Sequence, residues 1–307
     1  MRKLDFSGHD GKKITYREWL TESPKGLVQI VHGMAESSDR YSAFAEYLAS
    51  RGFIVFADDH RGHGETDPDR RGYSDGDMWN DTLEDLWRLN SAYREKYPDL
   101  PCVVFGHSYG SFLTQRFIEL HGDVLDGAVI GGSAYLGGAA VTVGRWVAKL
   151  NCLFGGKDKP ARFIKAVTFD AYNKKYKDGT TFISQIPEEC DKYADAWDCN
   201  FTLSNAFYKS FFSGVPQNYK AKNFSRIPKD LPILLVAGDG DPVGGYGKLI
   251  DKLYDFYKHK VGVEKVEKVL YPGVRHELLN DTSREDAYKK IGDFIETAFA
   301  AEQGAAR

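Results

Sequence analysis

Residues 102–113 read CVVFGHSYGSFL. The first four are apolar, as is typical of a strand buried on both faces, and Phe112 and Leu113 follow at helical spacing. Between the two lies a pentapeptide, residues 106–110, that fits the pattern G-x-S-x-G. This pattern marks a sharp strand-to-helix turn that exposes its serine on a strained backbone, with small neighbours that let other segments pass closely. The stretch therefore predicts a nucleophilic serine, Ser108.

Strands alternate with helices on either side of this turn, as in a mostly parallel sheet covered on both faces. Nearer the N-terminus, the Asp-Gly pair at positions 10 and 11 predicts a hairpin turn. The predicted strands are residues 26–32, 53–57, 102–105, 125–130, 231–237 and 263–270, and the predicted helices are residues 41–51, 78–97, 108–121 and a C-terminal segment around 287–299.

One long segment interrupts this alternation. Residues 134–224 have helical patterns and many aromatic side chains but no clear buried strand. We expect a core made of residues 1–133 and 225–307, with residues 134–224 as a helical cap, or lid, inserted above the sheet. The alternative is that residues 134–224 form ordinary core helices.

The composition restricts the class of protein. The 307 residues carry a formal net charge of −3, which gives no electrostatic reason to expect nucleic acid as a partner. No apolar run reaches the roughly 18 residues of a membrane span, and residues 1–10 do not resemble a secretory signal. Four cysteines without C-x-x-C spacing favour free thiols in the cytoplasm. Peripheral contact with a membrane stays open.

A serine hydroxyl needs a base, and the base needs an acid that orients it. With this type of turn the chain order is Ser, then Asp or Glu, then His. Asp239 and Asp241 both follow the predicted strand 231–237, and His276 follows the strand 263–270. The remaining histidines either precede the acid or lie in less suitable places, so His276 is the predicted base, with either aspartate as the acid.

Two histidines three positions apart in the sequence, His60 and His63, raise the question of a metal site. Gly62 and Gly64 favour a loop rather than a helix here, and no third ligand is suggested. We therefore expect no bound metal and interpret these histidines as hydrogen-bonded residues that support the site.

The motifs, taken in order, resemble those of the monoacylglycerol lipase and lysophospholipase-like family of α/β hydrolases. The resemblance covers about residues 10–130 and 225–300. It implies the α/β-hydrolase fold, Asp241 of G-x-x-D as the acid, and the backbone N–H groups of Met34 and Tyr109 as the oxyanion hole. The matching stretches are His32-Gly33-Met34-Ala35-Glu36, Asp59-His60-Arg61-Gly62-His63-Gly64, Gly106-His107-Ser108-Tyr109-Gly110, Gly238-x-x-Asp241 and His276.

The expected activity is hydrolysis of carboxylic esters through an acyl-enzyme, without a cofactor. The substrate is expected to be a small-molecule or lipid ester, and the aromatic residues of 134–224 favour an apolar acyl chain, as in a monoacylglycerol or lysophospholipid. Alternatives with the same fold are a short-chain carboxylesterase, a thioesterase, an acyltransferase or an aminopeptidase. An alternative of a different class is a catalytically silent binding module.

Overall fold

Eight strands form a single sheet in the computed structural model, which describes residues 1–305 and all their side chains except those of residues 139, 140 and 301–305. In chain order they are β1 Arg2–Ser7, β2 Lys13–Trp19, β3 Gly26–Val31, β4 Phe53–Asp58, β5 Cys102–His107, β6 Gly127–Gly131, β7 Ile233–Gly238 and β8 Val266–Tyr271.

The order of strands across the sheet is β1-β2-β4-β3-β5-β6-β7-β8. β1 and β2 form the predicted hairpin, and β2 pairs antiparallel with β4. All other neighbours are parallel, so the carboxyl ends of β3 to β8 lie along one edge of the sheet. The loops that follow β3, β5, β7 and β8 therefore meet at that edge, and these are the loops that carry the predicted site residues.

Eleven α-helices accompany the sheet within residues 1–305. Their bounds are α1 Ser42–Ser50, α2 Met78–Lys96, α3 Tyr109–His121, α4 Ala139–Gly155, α5 Arg162–Val167, α6 Phe169–Asn173, α7 Pro187–Asp195, α8 Asn205–Gly214, α9 Ala221–Phe224, α10 Lys248–Asp255 and α11 Arg284–Ala305, and a π-helical turn, Phe256–Val261, continues α10.

Both faces of the sheet are covered by apolar layers. On one face Phe44 of α1 and Ile291 of α11 pack with Val28 and Ile30 of β3. On the other, α2, α3 and α10 bury residues such as Leu86, Leu113 and Ile250 against Leu27 and Val31. β3, β4, β5, β6 and β7 are buried along their whole length, as expected for parallel strands between two helical layers. This architecture confirms the predicted α/β fold.

Some predicted boundaries were wrong by a few residues. β6 begins at Gly127 rather than Leu125, because Leu125 donates its N–H to Gly122 O at the end of a short 3-10 turn. β8 begins at Val266 rather than Val263, since Gly262 ends the preceding helical turn in the left-handed conformation. The helix after the serine begins one residue later than predicted, at Tyr109.

Residues 134–224 contain α4 to α9 and none of the eight sheet strands. α8 packs onto the sheet layer through aromatic contacts: the Phe207 ring lies 5.0 Å from that of Tyr109, and the Phe211 ring lies 6.1 Å from that of Trp79. The described part of the chain contains no helix that is both long and apolar enough to cross a membrane. The division into a core and a separate cap stays a prediction.

Candidate active site

Ser108 occupies the turn between β5 and α3. Its backbone has φ 52° and ψ −119°, a left-handed conformation that is strained for a residue with a side chain. Its N–H donates to Gly131 O at the end of β6, at 3.0 Å. Gly110 lies under the carbonyl of Val31, where a Cβ atom would overlap that oxygen. The strain is thus maintained by the neighbouring strands, and the serine side chain is directed to the carboxyl edge of the sheet.

Three side chains from distant parts of the chain meet at this edge. Nε2 of His276 lies 2.9 Å from Oγ of Ser108, and its Nδ1 lies 2.9 Å from Oδ2 of Asp241. Asp241 is fully buried, and its other oxygen accepts the N–H of Val243 at 2.8 Å. The geometry can therefore pass a proton from the hydroxyl to an imidazole that a carboxylate orients.

The second aspartate considered from the sequence has a different place. Asp239 is exposed, and its Oδ1 accepts the N–H of Gly273 at 2.6 Å. This contact fastens the turn after β7 to the loop that carries His276. Asp239 thus stabilises the loop, whereas Asp241 contacts the imidazole.

Met34 and Tyr109, the predicted oxyanion donors, lie on two loops that flank the serine. Tyr109 is the first residue of α3, where backbone N–H groups have no partner within the helix. Met34 follows β3, and a Cβ atom on the preceding Gly33 would lie 3.1 Å from Cβ of Ser108. The next residue, Ala35, has φ 53°. Two backbone segments thus approach the nucleophile, as an oxyanion hole requires.

The sequence analysis quoted Glu36 within a motif but gave it no role. Its Oε1 accepts the N–H of Gly33 at 2.5 Å and the hydroxyl of Tyr41 at 2.8 Å. Arg40 lies 3.5 Å from Oε2, and Nδ1 of His107 lies 3.9 Å from Oε1, an ion-pair distance rather than a hydrogen bond. The carboxylate therefore fixes the loop that carries Met34.

Glu36 and His107 form a buried pair in which each shifts the pKa of the other towards its ionised form. Burial alone would raise the pKa of Glu36, but His107, Arg40 and Tyr41 together lower it. Burial alone would lower the pKa of His107, but Glu36 raises it. Nε2 of His107 contacts the carbonyl of His276 at 3.0 Å, and a protonated ring donates there. One charged network thus supports both the oxyanion loop and the loop of the catalytic histidine candidate.

His60 and His63 belong to a buried group of three histidines. His60 stacks on His32 with ring centroids 3.7 Å apart, donates its backbone N–H to Nε2 of His32, and contacts Asp58 through Nδ1 at 2.8 Å. Burial lowers the pKa of His63 to about 4 and that of His32 well below its usual value. These two imidazoles are therefore neutral at pH 7, and their packing supports the loops after β3 and β4. Among the described residues no group of three or more His, Cys, Asp or Glu side chains is placed to hold a metal.

The space next to the site is small. A cavity of about 80 Å³ lies between Ala35 and the segment 165–201, and its lining includes Asn173, Phe182 and Phe201. The Phe182 ring is 5.6 Å from the imidazole of His276. This volume is well below the roughly 300–1,000 Å³ of typical ligand pockets. Ser108 itself is only partly buried.

The sequence has clear relatives. Over 301 residues it is 28% identical to the monoacylglycerol lipase of Mycolicibacterium smegmatis, covering 94% of this chain and 95% of that protein. It is 35% identical to the monoglyceride lipase of Homo sapiens over 102 residues, a third of each chain.

Solved structures are similar over nearly the full length. A thermostable carboxyl esterase from Bacillus coagulans, in complex with glycerol, superposes with a TM-score of 0.86 at 28% identity, covering 97% of this chain and 98% of that one. A soluble variant of the Saccharomyces cerevisiae monoglyceride lipase, at 18% identity and a TM-score of 0.76 over 97% and 94% of the two chains, shares the fold. The model of the family described as serine aminopeptidase, S33, matches residues 22–283. The chain therefore belongs to this family of α/β hydrolases.

Proposed function

We propose that this protein is a carboxylic ester hydrolase of the lipase and esterase type, which acts through a Ser108–His276–Asp241 triad. The observation that supports the proposal most directly is the pair of 2.9 Å contacts made by the two nitrogens of His276, one to the hydroxyl and one to the buried carboxylate. The relatives named above are lipases and an esterase.

In the proposed mechanism Nε2 of His276 takes the proton of Ser108 as Oγ attacks the ester carbonyl carbon. The carbonyl oxygen becomes an oxyanion, which the backbone N–H groups of Met34 and Tyr109 bind. When the tetrahedral intermediate collapses, the bond to the alcohol breaks and His276 gives its proton to the leaving oxygen. Asp241 accepts a hydrogen bond from Nδ1–H of His276 throughout, and so selects the tautomer and stabilises the imidazolium without taking its proton.

The acyl-enzyme then reacts with water. His276 takes a proton from the water molecule as its oxygen attacks the acyl carbon, and returns it to Oγ when the carboxylic acid leaves. The loss of one oxyanion donor in such sites typically costs about 3–4 kcal/mol of barrier.

The proposed substrate is a monoacylglycerol or a similar lipid ester. Two features favour it besides the names of the relatives. Aromatic rings of residues 134–224 lie next to the proposed site: Phe182 packs on the imidazole of His276, and Phe201 lies against His63, so an acyl chain here would meet an apolar environment. The 80 Å³ cavity beside Phe182 and Phe201 is too small for a long acyl chain. We therefore expect part of residues 134–224 to move when a long-chain substrate binds there.

The nucleophile is tested by Ser108→Ala. The variant is expected to keep the wild-type melting temperature, to lose about 10⁵- to 10⁶-fold in kcat for p-nitrophenyl esters, and to resist labelling by a fluorophosphonate. A matched control is Ser50→Ala at an exposed position on α1, which should behave as wild type. Retained turnover in Ser108→Ala would contradict the triad, and a wild-type protein that binds but does not hydrolyse would favour a silent binding module.

The substrate class is tested with a panel of esters of two to sixteen carbons, a monoacylglycerol, a lysophospholipid and aminoacyl p-nitroanilides. We expect the highest kcat/KM for a medium- or long-chain monoacylglycerol. The aminoacyl substrates are included because the family is described as serine aminopeptidase. A maximum at two to four carbons, or on the anilides, would contradict the lipid substrate and leave the triad in place.

A further inference from the structure

Arg275, the residue before the proposed base, has almost all of its polar contacts with one short segment. Its guanidinium donates to the hydroxyl of Thr180, to the carbonyl of Thr181 at 2.7 Å and to the carbonyl of Ser184 at 2.9 Å. A fourth contact, at 3.3 Å, is to Asp178. Residues 178–184 are here called the strap. The side chain thus fastens the strap to the loop of His276.

The backbone makes the same connection. The N–H of His276 donates to the carbonyl of Phe182 at 3.1 Å, and the N–H of Glu277 donates to that of Ile183 at 2.8 Å. The strap and the histidine loop are therefore paired on both sides of the imidazole, through the main chain and through the guanidinium of Arg275.

The strap and the residue just before it also contact other parts of the proposed site. Phe182 and Ile183 line the 80 Å³ cavity next to Ala35. The Tyr176 ring, just before the strap, stacks under the guanidinium at 3.9 Å, and its hydroxyl contacts the carbonyl of Gly240, the neighbour of Asp241. A displacement of this segment would therefore disturb contacts next to both the proposed base, His276, and the proposed acid, Asp241.

The chemistry of the guanidinium makes these contacts difficult to replace. Arg275 is 8% exposed, so its charge is largely removed from water and depends on the strap for acceptors. Asp178 supplies a negative charge next to the guanidinium. Hydrogen bonds from Thr180, with a smaller contribution from Arg275, lower the pKa of Asp178 to about 2. The hydroxyl and the two carbonyls surround one nitrogen, Nη1, while the other, Nη2, faces Asp178. A lysine ammonium at this position would lack the second nitrogen and the flat surface that stacks on Tyr176.

We propose that Arg275 is a positioning residue, which couples the placement of the strap to the alignment of His276 with Ser108. The proposal rests on the proposed function, because it assigns the alignment to a histidine that acts as the base. When the strap is in place, the imidazole is held at 2.9 Å from both partners.

The test compares Arg275→Met, which keeps the bulk and removes the donors, with Arg275→Lys and with the exposed Arg70→Met as a control. The substrate is p-nitrophenyl acetate, which is small enough to make few contacts with the cap. For Arg275→Met we expect kcat to fall by about 10- to 100-fold with little change in KM, because small displacements of catalytic groups cost about that much. Arg275→Lys should recover part of the loss, and Arg70→Met should match wild type.

A spectroscopic readout separates positioning from a general loss of stability. The proton shared by His276 and Asp241 gives a low-field proton NMR signal in the wild type, and we expect it to shift or broaden in Arg275→Met well below the melting temperature. Should Arg275→Met not fold, Asp178→Asn removes a contact of the guanidinium at an exposed position and should lower kcat severalfold. Wild-type kcat and an unchanged signal in these variants would overturn the proposal. A wild-type protein without esterase activity would instead overturn the proposed function.

Discussion

At the scale of single residues, the carboxylate of Glu36 has an unusual concentration of partners. A backbone N–H, a tyrosine hydroxyl, an arginine and a histidine all approach one buried side chain next to the nucleophile. The backbone N–H belongs to Gly33, one residue before the proposed oxyanion donor. Any change in the charge or position of Glu36 is therefore expected to alter how well the loop of Met34 stabilises the transition state.

Glu36→Gln keeps the shape of the side chain and removes its charge. We expect kcat for p-nitrophenyl esters to fall by about 10- to 100-fold, somewhat less than the 10²- to 10³-fold typical of a donor that is lost completely. The melting temperature should also fall, because Arg40 and His107 lose a buried counter-charge. Steady-state kinetics and thermal unfolding measure the two effects, and Glu46→Gln, exposed on α1, is the matched control. Wild-type kcat in Glu36→Gln would show that the loop keeps its place without the carboxylate.

The sequence identified some of these residues and not others. Ser108, His276 and an acid at Asp239 or Asp241 could be proposed because each follows a recognisable strand, and the carboxyl ends of parallel strands lie at one edge. The choice of Asp241 came from the resemblance to the family. Glu36 and Arg275 were not given roles, because their partners are fixed by contacts between distant segments, which one sequence does not encode locally. A signal for Arg275 was present in its position next to the predicted base, and a signal for Glu36 in its place within the matched motif.

At the scale of elements, the turn from β5 into α3 depends on how closely β3 passes. A Cβ atom on Gly110 would overlap the carbonyl oxygen of Val31, and one on Gly106 would overlap the hydroxyl of Thr114. A Cβ atom on Gly106 would also overlap the carbonyl oxygen of Gly110, so neither overlap can be relieved without moving a strand or the helix. The glycines of this motif are therefore required by packing around the serine.

Gly110→Ala tests this requirement. In an unconstrained helix the change from glycine to alanine stabilises by about 1 kcal/mol. Here we expect the opposite sign, a loss of at least about 2 kcal/mol in the free energy of unfolding, because the backbone must shift. Denaturant unfolding measures it, and Gly155→Ala in α4, whose new Cβ would lie 3.7 Å from the Asn205 amide nitrogen, should be neutral or stabilising. A stable and fully active Gly110→Ala would show that the turn can relax.

Strands were easier to predict than the short helices between β6 and β7. Buried parallel strands such as β4 and β7 are almost continuous apolar runs, which remain recognisable without context. α5, α6 and α9 have only four to six residues each, too few for a helical period to emerge. Their conformation depends on tertiary contacts, such as the hydrogen bond that the N–H of Phe182 donates to Oδ1 of Asn173.

At the scale of the whole molecule, two successive helices, α4 and α5, carry most of the exposed large apolar side chains among the described residues. On α4 they lie on one face, whereas the opposite face packs on α8, where a Cβ atom on Gly144 would meet the Phe212 ring. Lys149 lies 5.2 Å from the Trp146 ring at the border of this surface. Such a combination is typical of helices that lie at a lipid surface. The apolar residues on α4 and α5 are Val143, Trp146, Leu150, Leu153, Phe154, Phe163 and Val167, with exposures of 48 to 82%.

If this surface binds lipid, the double variant Trp146→Ser/Phe154→Ser should bind lipid more weakly than the wild type. We expect binding to phosphatidylcholine vesicles to weaken by at least tenfold, since each large apolar side chain contributes about 1.5–3 kcal/mol on burial. Turnover of p-nitrophenyl acetate should be unchanged. Vesicle sedimentation and kinetics measure the two quantities, and Leu20→Ser, exposed elsewhere on the protein, is the control. Equal vesicle binding by the double variant and wild type would assign this surface another role.

The two outer strands of the sheet have a consequence for solubility. β1 carries Arg2, Lys3 and Asp5, and β8 carries Glu267 and Lys268, so charged groups line both open margins. Charges of this kind discourage intermolecular strand pairing. The hairpin of β1 and β2 shields β4, whose residues are all buried. Removal of that hairpin would expose the edge of β4, an apolar strand, to pairing with other chains. We therefore expect the N-terminal residues to limit fibril-like aggregation. This contribution is independent of the proposed chemistry at Ser108.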